Sequence, residues 1–487
     1  MGTAVDVYRS QAGVQARNLV PAARPVATGL LLLLADSAAL LAAGWAGVQI
    51  WMLWNATIGA GFYLGLWPVL GVFPLVYASL GLYPGAGLNA VEELRSTAVG
   101  TTLVYLVAAA SVFFGKEVGF YSRGVFLSSW FCSILLVPLT RALLRNRFAA
   151  RPWWGVPVLV LGAGMSGRMV AGRLKLQPEL GLKPVAFLDD DGRKQNRDAT
   201  LPIAGPLSAA PQLSAALRIR HALVAMPGLK REELIGVLER MGAVFPHLIV
   251  VPDLFGMASL WVSPRDLGGV LGLELRQNLL MPLNRWLKRA LDLGMASAAG
   301  ILALPVIAVV VFWIKRVSPG SAFYTQEREG EAGRTIRIRK LRTMHFNADA
   351  LLEEHLARNP EANEEWRRYF KLKNDPRILP GIGRLLRLTS LDEVPQLWNV
   401  LKGEMSLVGP RPFPYYHLGQ FDRRFRSLRG RVAPGLTGLW QVAARSNGDL
   451  SVQEALDTYY IRNWSLWLDL YILARTVRAV LVRQGAY

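Results

Sequence analysis

Apolar residues recur in long segments over the first part of the chain. Four segments are long enough to cross a bilayer, which takes about 20 residues: 27–54, 58–82, 96–114 and 124–140. Arginines precede the first segment and follow the fourth, so the positive-inside rule places both flanks in the cytoplasm. Residues 1–150 are therefore predicted to form a four-helix transmembrane domain.

A carboxylate, Asp36, lies within the first of these segments. An acidic residue inside a span is by default a candidate functional residue. Packing of Asp36 against a neighbouring helix explains the same observation at least as well. The sequence leaves both interpretations open.

The pattern changes after residue 150, where short apolar runs alternate with helical stretches. The runs 156–161, 184–188, 222–226 and 248–251 are typical of buried strands. Strands separated by helices indicate a parallel sheet, so residues 151–284 are predicted to form a Rossmann-like α/β cytosolic domain.

A glycine-rich turn follows the first of these strands. Gly162, Gly164 and Gly167 form the pattern G-x-G-x-x-G, and Asp189 to Asp191 end the next strand. Such an arrangement can bind a dinucleotide, with an acid on the ribose hydroxyl. The glycines can also serve a tight turn and close helix packing alone. This second interpretation is slightly favoured, because no catalytic set lies near the glycines.

A fifth apolar segment, 290–314, contains Asp292 and Pro305. Basic residues stand on both sides of it, so both of its ends are predicted to be cytoplasmic. Pro305 removes a helix hydrogen bond and favours a kink. We therefore expect a re-entrant helix near 288–316: a helix, a break and a second helix that dip into the inner leaflet without crossing it.

The last apolar stretch, 466–483, mixes apolar residues with arginines. This pattern predicts an amphipathic helix. It can lie on the membrane surface or pack in a core with a solvated basic face, and the sequence favours neither.

Composition agrees with a membrane protein that has basic cytosolic parts. Of 487 residues, 52% are apolar and 18% charged, which excludes a disordered chain and argues against an ordinary soluble enzyme. The formal net charge of +20 is uneven: +4 in 1–150, +4 in 151–284 and +12 in 285–487. Such a basic surface suits nucleic acid, anionic lipid or a phosphorylated small molecule. The single cysteine, Cys132, excludes an intramolecular disulfide and a cysteine-based zinc site.

Basic residues of the last module are candidates for phosphate binding. Isoleucine alternates with arginine over 335–339, which predicts a half-buried strand that leads into Lys340 and Arg342. Arg387 and Arg411 lie in the same module. Guanidinium groups suit phosphate, although each arginine taken alone is equally well explained as a solvated surface charge.

Two adjacent carboxylates are the candidate catalytic residues. Ser390 and Glu393 form a capping-box pattern, which predicts that Asp392 and Glu393 lie at a helix N-terminus. There the helix dipole keeps a carboxylate ionised, and an ionised carboxylate can attack phosphorus. Its neighbour can bind Mg²⁺ or move a proton. A plain helix cap is the alternative, and the basic residues of the same module favour catalysis over it.

Residues 285–487 resemble the catalytic unit of the monotopic polyprenyl-phosphate phosphoglycosyl transferases. Segments 340–344, 390–400, 407–412 and 434–441 match that family's motifs in order and at familiar spacing. The four spans and the Rossmann-like module are similar to those of its large-form members. Stretches near the C-terminus resemble the undecaprenyl-phosphate galactose phosphotransferases.

The resemblance implies a mechanism. Asp392 attacks the sugar-bearing phosphate of a UDP-sugar, expels UMP and forms a phosphosugar-aspartate, from which undecaprenyl phosphate takes the phosphosugar. Glu393 binds Mg²⁺ or assists proton transfer. The candidate substrate-binding residues are Lys340, Arg342, Arg387, Arg411 and Asp469.

The implied partners are a UDP-sugar, undecaprenyl phosphate, membrane lipid and a second copy in a homodimer, with no nucleic acid. The implied location is the bacterial cytoplasmic membrane, with the catalytic domain on the cytosolic face. Galactose is the sugar of the resembled subgroup, and glucose is close behind. The reaction would initiate an O-antigen, capsule or exopolysaccharide.

Two other functions compete with this one. A membrane-bound nucleotide-sugar dehydratase or epimerase would need a Tyr-x-x-x-Lys pair near the glycines, and the sequence has none there. A non-enzymatic nucleotide-sensing scaffold for polysaccharide assembly would leave the carboxylate pair and the basic residues without a role.

Overall fold

The computed structural model describes residues 22–54, 67–114, 122–191, 201–252, 262–266, 268, 271–275, 278–369, 372, 375–419, 421–443 and 450–481. The chain divides into two compact units, Met1–Phe255 and Gly256–Tyr487. In the described part of the chain, four helices are long and apolar enough to cross a membrane: Pro25–Met52, Ala90–Val112, Arg123–Phe148 and Pro282–Val317.

The first unit begins with a bundle of four helices. They are α1 (Pro25–Met52), α2 (Trp67–Ser79), α3 (Ala90–Phe114) and α4 (Arg123–Phe148). Helices α1, α3 and α4 agree with the predicted first, third and fourth spans. Helix α2 has 13 residues and is therefore about 20 Å long. Residues 58–66 of the predicted second span lie outside the described residues.

Small residues let α1 and α4 approach closely. A side chain at Gly47 would place its Cβ 2.1 Å from the Ser129 hydroxyl, so this position has room only for glycine. The Ser128 hydroxyl donates to the Gly47 carbonyl at 2.9 Å. Contacts of this kind hold apolar helices together where the surroundings are as apolar as the side chains.

A closed ion network, formed by Asp36, Tyr83, Glu93, Arg141 and Arg145, is buried in the same bundle. Arg141 donates to both oxygens of Asp36, at 2.5 and 2.8 Å, and to Glu93 at 2.9 Å. Arg145 donates to both oxygens of Glu93, at 2.7 and 2.9 Å. Asp36 therefore packs against neighbouring helices, which settles the choice that the sequence left open.

A parallel sheet of five strands follows in the first unit, in the order β3-β2-β1-β4-β5. The strands are β1 (Val156–Leu161), β2 (Leu182–Leu188), β3 (Ile203–Gly205), β4 (His221–Val224) and β5 (His247–Val250). Helices α5 (Met165–Leu176), α6 (Ala210–Leu217) and α7 (Arg231–Gly242) connect them. Strand β1 is buried along its whole length, as an apolar run in a two-sided sheet requires. The predicted parallel sheet is confirmed.

The glycine-rich turn needs two of its three glycines for conformation or space. Gly162 has a φ of +102°, and a Cβ at Gly167 would lie 1.9 Å from the Gly162 carbonyl oxygen. The Asp189 carboxylate accepts a hydrogen bond from the Ala163 N–H at 2.7 Å. Close packing thus explains Gly162 and Gly167, whereas a Cβ at Gly164 would meet open space.

The second unit contains two antiparallel strand pairs and many short helices. The strands are β6 (Val262–Asp266) with β7 (Leu271–Leu275), and β8 (Phe323–Glu329) with β9 (Thr335–Leu341). The helices are α8 (Pro282–Val317), α9 (Ala348–Arg358), α10 (Pro360–Tyr369), α11 (Ile382–Thr389), α12 (Leu397–Lys402), α13 (Tyr415–Leu418), α14 (Arg423–Arg429), α15 (Leu439–Ala443), α16 (Leu450–Asn463) and α17 (Leu466–Leu481). Short strands β10 (Ser406–Val408) and β11 (Gly435–Thr437) pair in parallel.

Helix α8 differs from its prediction. It is one helix of 36 residues with Pro305 inside it, where a break between two helices was expected. The loss of one backbone hydrogen bond at a proline can bend a helix without ending it. Near its start, Asp292 accepts from the Ser406 hydroxyl and the Leu407 N–H. Near its end, Ile314 is fully buried against a cluster of the same module.

Candidate active site

A cleft of about 1380 Å³ lies in the second unit. The predicted site residues that line it are Lys340, Arg342, Arg387, Asp392, Glu393 and Arg411. Asp469 is the predicted site residue that does not line it. Strand β9, the segment after α11 and the segment after β10 therefore bring together residues that are far apart in the sequence.

The two carboxylates lie on a short 3₁₀ helix, Leu391–Gln396, that leads into α12. Ser390 precedes it with a φ of +58°, a left-handed conformation that ends α11 before this helix begins. The predicted capping box is absent, since the Ser390 side chain makes no capping hydrogen bond. The Glu393 N–H instead donates to the Ser390 carbonyl at 3.2 Å, and the Glu393 carboxylate points to a lysine.

Glu393 is held by two cations. Its Oε1 atom accepts from the Lys340 ammonium at 2.6 Å and lies 3.5 Å from the Arg411 guanidinium. Burial raises the pKa of Glu393, but Arg411 and Lys340 outweigh burial and hold the pKa below its usual value. Glu393 is therefore an ionised carboxylate that fixes the positions of both cations.

Asp392 has a different environment from its neighbour. Burial raises the pKa of Asp392 to about 6, and Glu393 acts in the same direction, while Lys340 and Arg387 oppose them. The carboxylate is consequently mostly ionised at pH 7. It accepts from its own backbone N–H and from no other residue in the described part of the chain. An ionised and unengaged carboxylate beside cations is suited to nucleophilic attack on phosphorus.

The two predicted arginines on this side of the cleft differ in what they can bind. Arg387 donates through Nε to the Thr343 hydroxyl at 3.1 Å, a contact that leaves its two terminal nitrogens for the cleft. Arg342 is 7% exposed, and both of its terminal nitrogens donate at 2.8 Å to the carbonyls of Ser318 and Pro319. Arg342 therefore fixes the end of α8 with both terminal nitrogens, and its role in substrate binding stays a prediction.

Asp469 is a buried anchor that does not line the cleft, and its role in substrate binding stays a prediction. It is 1% exposed and accepts from Lys288 at 2.7 Å, from the Tyr460 hydroxyl at 2.8 Å and from the Trp464 indole at 3.0 Å. Its two oxygens are thus occupied by α8, α16 and the turn before α17.

The apolar wall of the cleft was missed by the sequence analysis. Met295 and Ala299 of α8 and Leu473, Val477 and Val480 of α17 line it. The spacing of three and four residues in α17 places these side chains on one helix face. That spacing was visible in the sequence, but it could not show which surface the face covers.

The carboxylates fit a magnesium ion only together with substrate. Mg²⁺ is usually held by one or two carboxylates and by substrate phosphates. The hydrogen bond and the ion pair of Glu393 both involve Oε1, so Oε2 is the Glu393 atom that would hold the ion. Within the described residues, no three His, Cys, Asp or Glu side chains are grouped to bind a metal by themselves.

The chain matches known protein families in both units. Residues 283–483 match the family described as bacterial sugar transferase, and residues 78–252 match a CoA-binding domain. Over 374 residues the chain is 35% identical to an uncharacterized sugar transferase of Haemophilus influenzae, covering 76% of this chain and 78% of that protein.

Two further relatives have named activities. Undecaprenyl-phosphate galactose phosphotransferase of Salmonella typhimurium is 33% identical over 372 residues, covering 75% of this chain and 77% of the relative. UDP-glucose:undecaprenyl-phosphate glucose-1-phosphate transferase of Escherichia coli is 30% identical over 339 residues, covering 68% of each chain. The chain therefore belongs to the bacterial sugar transferases. Its resemblance to the polyprenyl-phosphate phosphoglycosyl transferases is thereby confirmed, and it is an enzyme of that class.

Proposed function

We propose that the enzyme transfers a sugar-1-phosphate from a UDP-sugar to undecaprenyl phosphate, releases UMP, and thereby initiates synthesis of an O-antigen, capsule or exopolysaccharide. The observation that carries this proposal is the contrast within the carboxylate pair. Glu393 is paired with cations, whereas Asp392 is ionised, unengaged and beside Lys340 and Arg387. The named relatives support the substrate classes.

In the first step, an Asp392 oxygen attacks the sugar-bearing phosphorus of the donor. The bond from this phosphorus to the bridging oxygen breaks, and UMP leaves with the electron pair. Lys340 and Arg387 stabilise the charge on the transferring and leaving phosphates, and Arg411 binds a phosphate of the donor. Mg²⁺, held by Glu393 and the donor diphosphate, would neutralise part of the same charge.

In the second step, a phosphate oxygen of the lipid attacks the phosphorus of the phosphosugar-Asp392 intermediate. The aspartyl–phosphorus bond breaks and the Asp392 carboxylate is regenerated. The apolar wall formed by α8 and α17 supports a lipid acceptor, because it gives an isoprenoid chain an apolar surface beside the carboxylates.

The predicted re-entrant course of α8, an unbroken helix of 36 residues, would need a bend at Pro305. Asp292 near one end of the helix and Ile314 near the other both pack against the same module, while Leu302 between them is 77% exposed. A helix that returns to the face from which it entered would bring both ends to one module. Cysteine labelling after Val317 in intact cells tests this topology, and labelling by an impermeant reagent from outside would contradict it.

We further propose that the enzyme is a multi-pass protein of the bacterial cytoplasmic membrane with its cleft on the cytosolic face. The strand order of the sheet supports a Rossmann-like module. The homodimer implied by the large-form resemblance stays a prediction. Galactose is the proposed sugar, with glucose as the second candidate, since relatives with each activity match the chain.

The decisive experiment uses the full-length protein in lipid nanodiscs with Mg²⁺, undecaprenyl phosphate and a panel of UDP-sugars. We expect UMP as the released nucleotide, and UDP-galactose as the preferred donor. Without the lipid acceptor, intact-protein mass spectrometry should detect a phosphohexose adduct that Asp392→Asn lacks. The matched control is Asp422→Asn, at an exposed position on α14's N-cap. Release of UDP, or normal turnover by Asp392→Asn, would contradict the proposal.

A further inference from the structure

The segment that carries Arg411 has few hydrogen-bond donors of its own. Pro410, Pro412 and Pro414 lack an N–H, so the segment cannot join a regular ladder of backbone hydrogen bonds. Its main chain must be held through its carbonyl groups. The Arg411 carbonyl accepts a hydrogen bond from Nη2 of Arg429. The Pro410 carbonyl accepts from the Gly435 N–H at 2.8 Å and the Phe413 carbonyl from the Glu329 N–H at 3.3 Å, and Arg429 holds the Arg411 carbonyl between them.

Arg429 is enclosed by aromatic rings. Its guanidinium lies 4.5 Å from the ring centre of Phe413, 5.7 Å from that of Phe425 and 5.8 Å from that of Phe421. The residue is 7% exposed, and its Nη1 atom has no hydrogen-bond partner in the described part of the chain. A buried guanidinium with a free donor is costly unless an opposite charge lies near it.

Asp457 of α16, the helix that packs against α14, supplies that charge without a hydrogen bond to Arg429. It is 1% exposed, and neither of its carboxylate oxygens has a hydrogen-bond partner among the described residues. Burial raises its pKa to about 7, and the charge of Arg429 opposes this rise. Glu329 also acts electrostatically on Arg429. Asp457 thus lies outside the cleft, contributes no direct contact to it, and is coupled to it through one arginine.

We propose that Asp457 is a positioning residue for donor binding: its buried charge keeps the Arg429 guanidinium among the three rings, and Arg429 fixes the Arg411 main chain so that the Arg411 side chain faces Glu393. The proposal rests on the proposed function, in which Arg411 binds a phosphate of the donor. A purely apolar cluster would fill the same space, but it would leave the Arg411 carbonyl without its donor.

The test compares the donor KM and kcat of Asp457→Asn with those of the native enzyme at pH 8, where an Asp457 carboxyl with a pKa of about 7 is mostly ionised. Asparagine keeps the shape and removes the charge. We expect the KM for the UDP-sugar to rise roughly tenfold with kcat within about twofold, the pattern of a binding interaction lost equally in the ground and transition states. Arg411→Lys should raise the same KM. The double variant should be no worse than Arg411→Lys alone, because both changes act on one contact.

Matched variants separate positioning from stability. Asp422→Asn is the control and should leave KM unchanged, while Asp457→Glu retains the charge and should keep KM near native. If Asp457→Asn does not fold, Arg429→Lys replaces it, since lysine keeps the charge and loses the forked donor. A fall in melting temperature with an unchanged KM would overturn the inference, as would additive effects in the double variant. An unchanged KM in Arg411→Lys would instead refute the proposed role of Arg411 itself.

Discussion

The closed ion network of the first unit and the carboxylate pair of the cleft contain the same residue types. Their carboxylates differ in how many hydrogen-bond partners they have. In the closed ion network, all four carboxylate oxygens of Asp36 and Glu93 accept hydrogen bonds from arginine. In the cleft, Glu393 is similarly engaged, whereas Asp392 receives nothing from the other described residues. A carboxylate whose oxygens all accept hydrogen bonds from protein groups stabilises the fold. A carboxylate without such partners is available to a substrate.

The largest expected effect comes from removing the charge of Asp392, the carboxylate without protein partners. Asp392→Asn should lower turnover by at least ~10³-fold, because no nucleophile remains. It should also raise the melting temperature. The pKa of Asp392 is raised to about 6 in the fold, so above that pH the native protein carries an ionised carboxylate that burial disfavours, and asparagine removes this cost. Activity assays and thermal unfolding at pH 8 check both outcomes. A melting temperature below native would show that the Asp392 charge supports the fold.

Breaking the closed ion network should have the second largest effect, on stability. Arg141→Gln leaves Asp36 and part of Glu93 buried without their partner, and loss of one member of a buried ion pair costs about 3–5 kcal/mol. Thermal unfolding of the purified protein measures it. Arg147→Gln, at an exposed position of the same helix, is the control and should change stability by less than about 0.5 kcal/mol. An equal loss of stability in Arg141→Gln and Arg147→Gln would contradict the stabilising role of the buried ion pairs.

Asp469→Asn tests whether the buried Asp469 stabilises the fold, as Asp36 and Glu93 do, or binds substrate in the cleft. Loss of the ion pair to Lys288 should lower the free energy of unfolding by about 2 kcal/mol. The KM for the UDP-sugar should stay within about twofold, because Asp469 does not line the cleft. A raised KM at unchanged stability would instead support the substrate-binding role that the sequence predicted for Asp469.

The smallest expected effect is a change with pH. The proposed nucleophile must be ionised, so kcat/KM should fall about tenfold per pH unit as the pH drops below about 6, and should be level above pH 7. Arg387 lowers the pKa of Asp392, so Arg387→Gln should move the midpoint of this profile to higher pH. A profile that does not move would exclude Asp392 as the group that titrates.

The sequence was most informative where structure is decided locally. Strand β1 begins and ends where the apolar run does, and β9 shows the predicted alternation of buried and exposed residues. The cleft was largely predictable, since Lys340, Asp392 and Arg411 belong to segments that resemble a known family. Local pattern could not predict long-range partners. It therefore could not show that the polar atoms of Arg342 and Asp469 are bound by other protein groups. Nor could it show that Arg387 and Asp392 keep polar atoms available in the cleft.

Basic residues in the first two turns of α8, just before its apolar segment, show the same limit. They were interpreted as a flank that stays in the cytoplasm. In the structure, Lys288 pairs with Asp469, and Arg289 donates to the backbone carbonyls of Val400 and Leu401 at the end of α12. Side chains of this kind hold α8 to the module, and charge counting cannot distinguish them from solvated ones.

One contact of the closed ion network reaches beyond the helix bundle. Arg145 also donates to the backbone carbonyls of Gly85 and Glu179, the latter in the turn before β2. Lys183 returns a similar bond to the Ala149 carbonyl at 2.7 Å. The bundle and the sheet are thus joined by main-chain acceptors, which every amino acid provides. The side chain at position 179 can therefore change during evolution without loss of this hydrogen bond. Replacement of Arg145 would remove the bond, because its side chain is the donor.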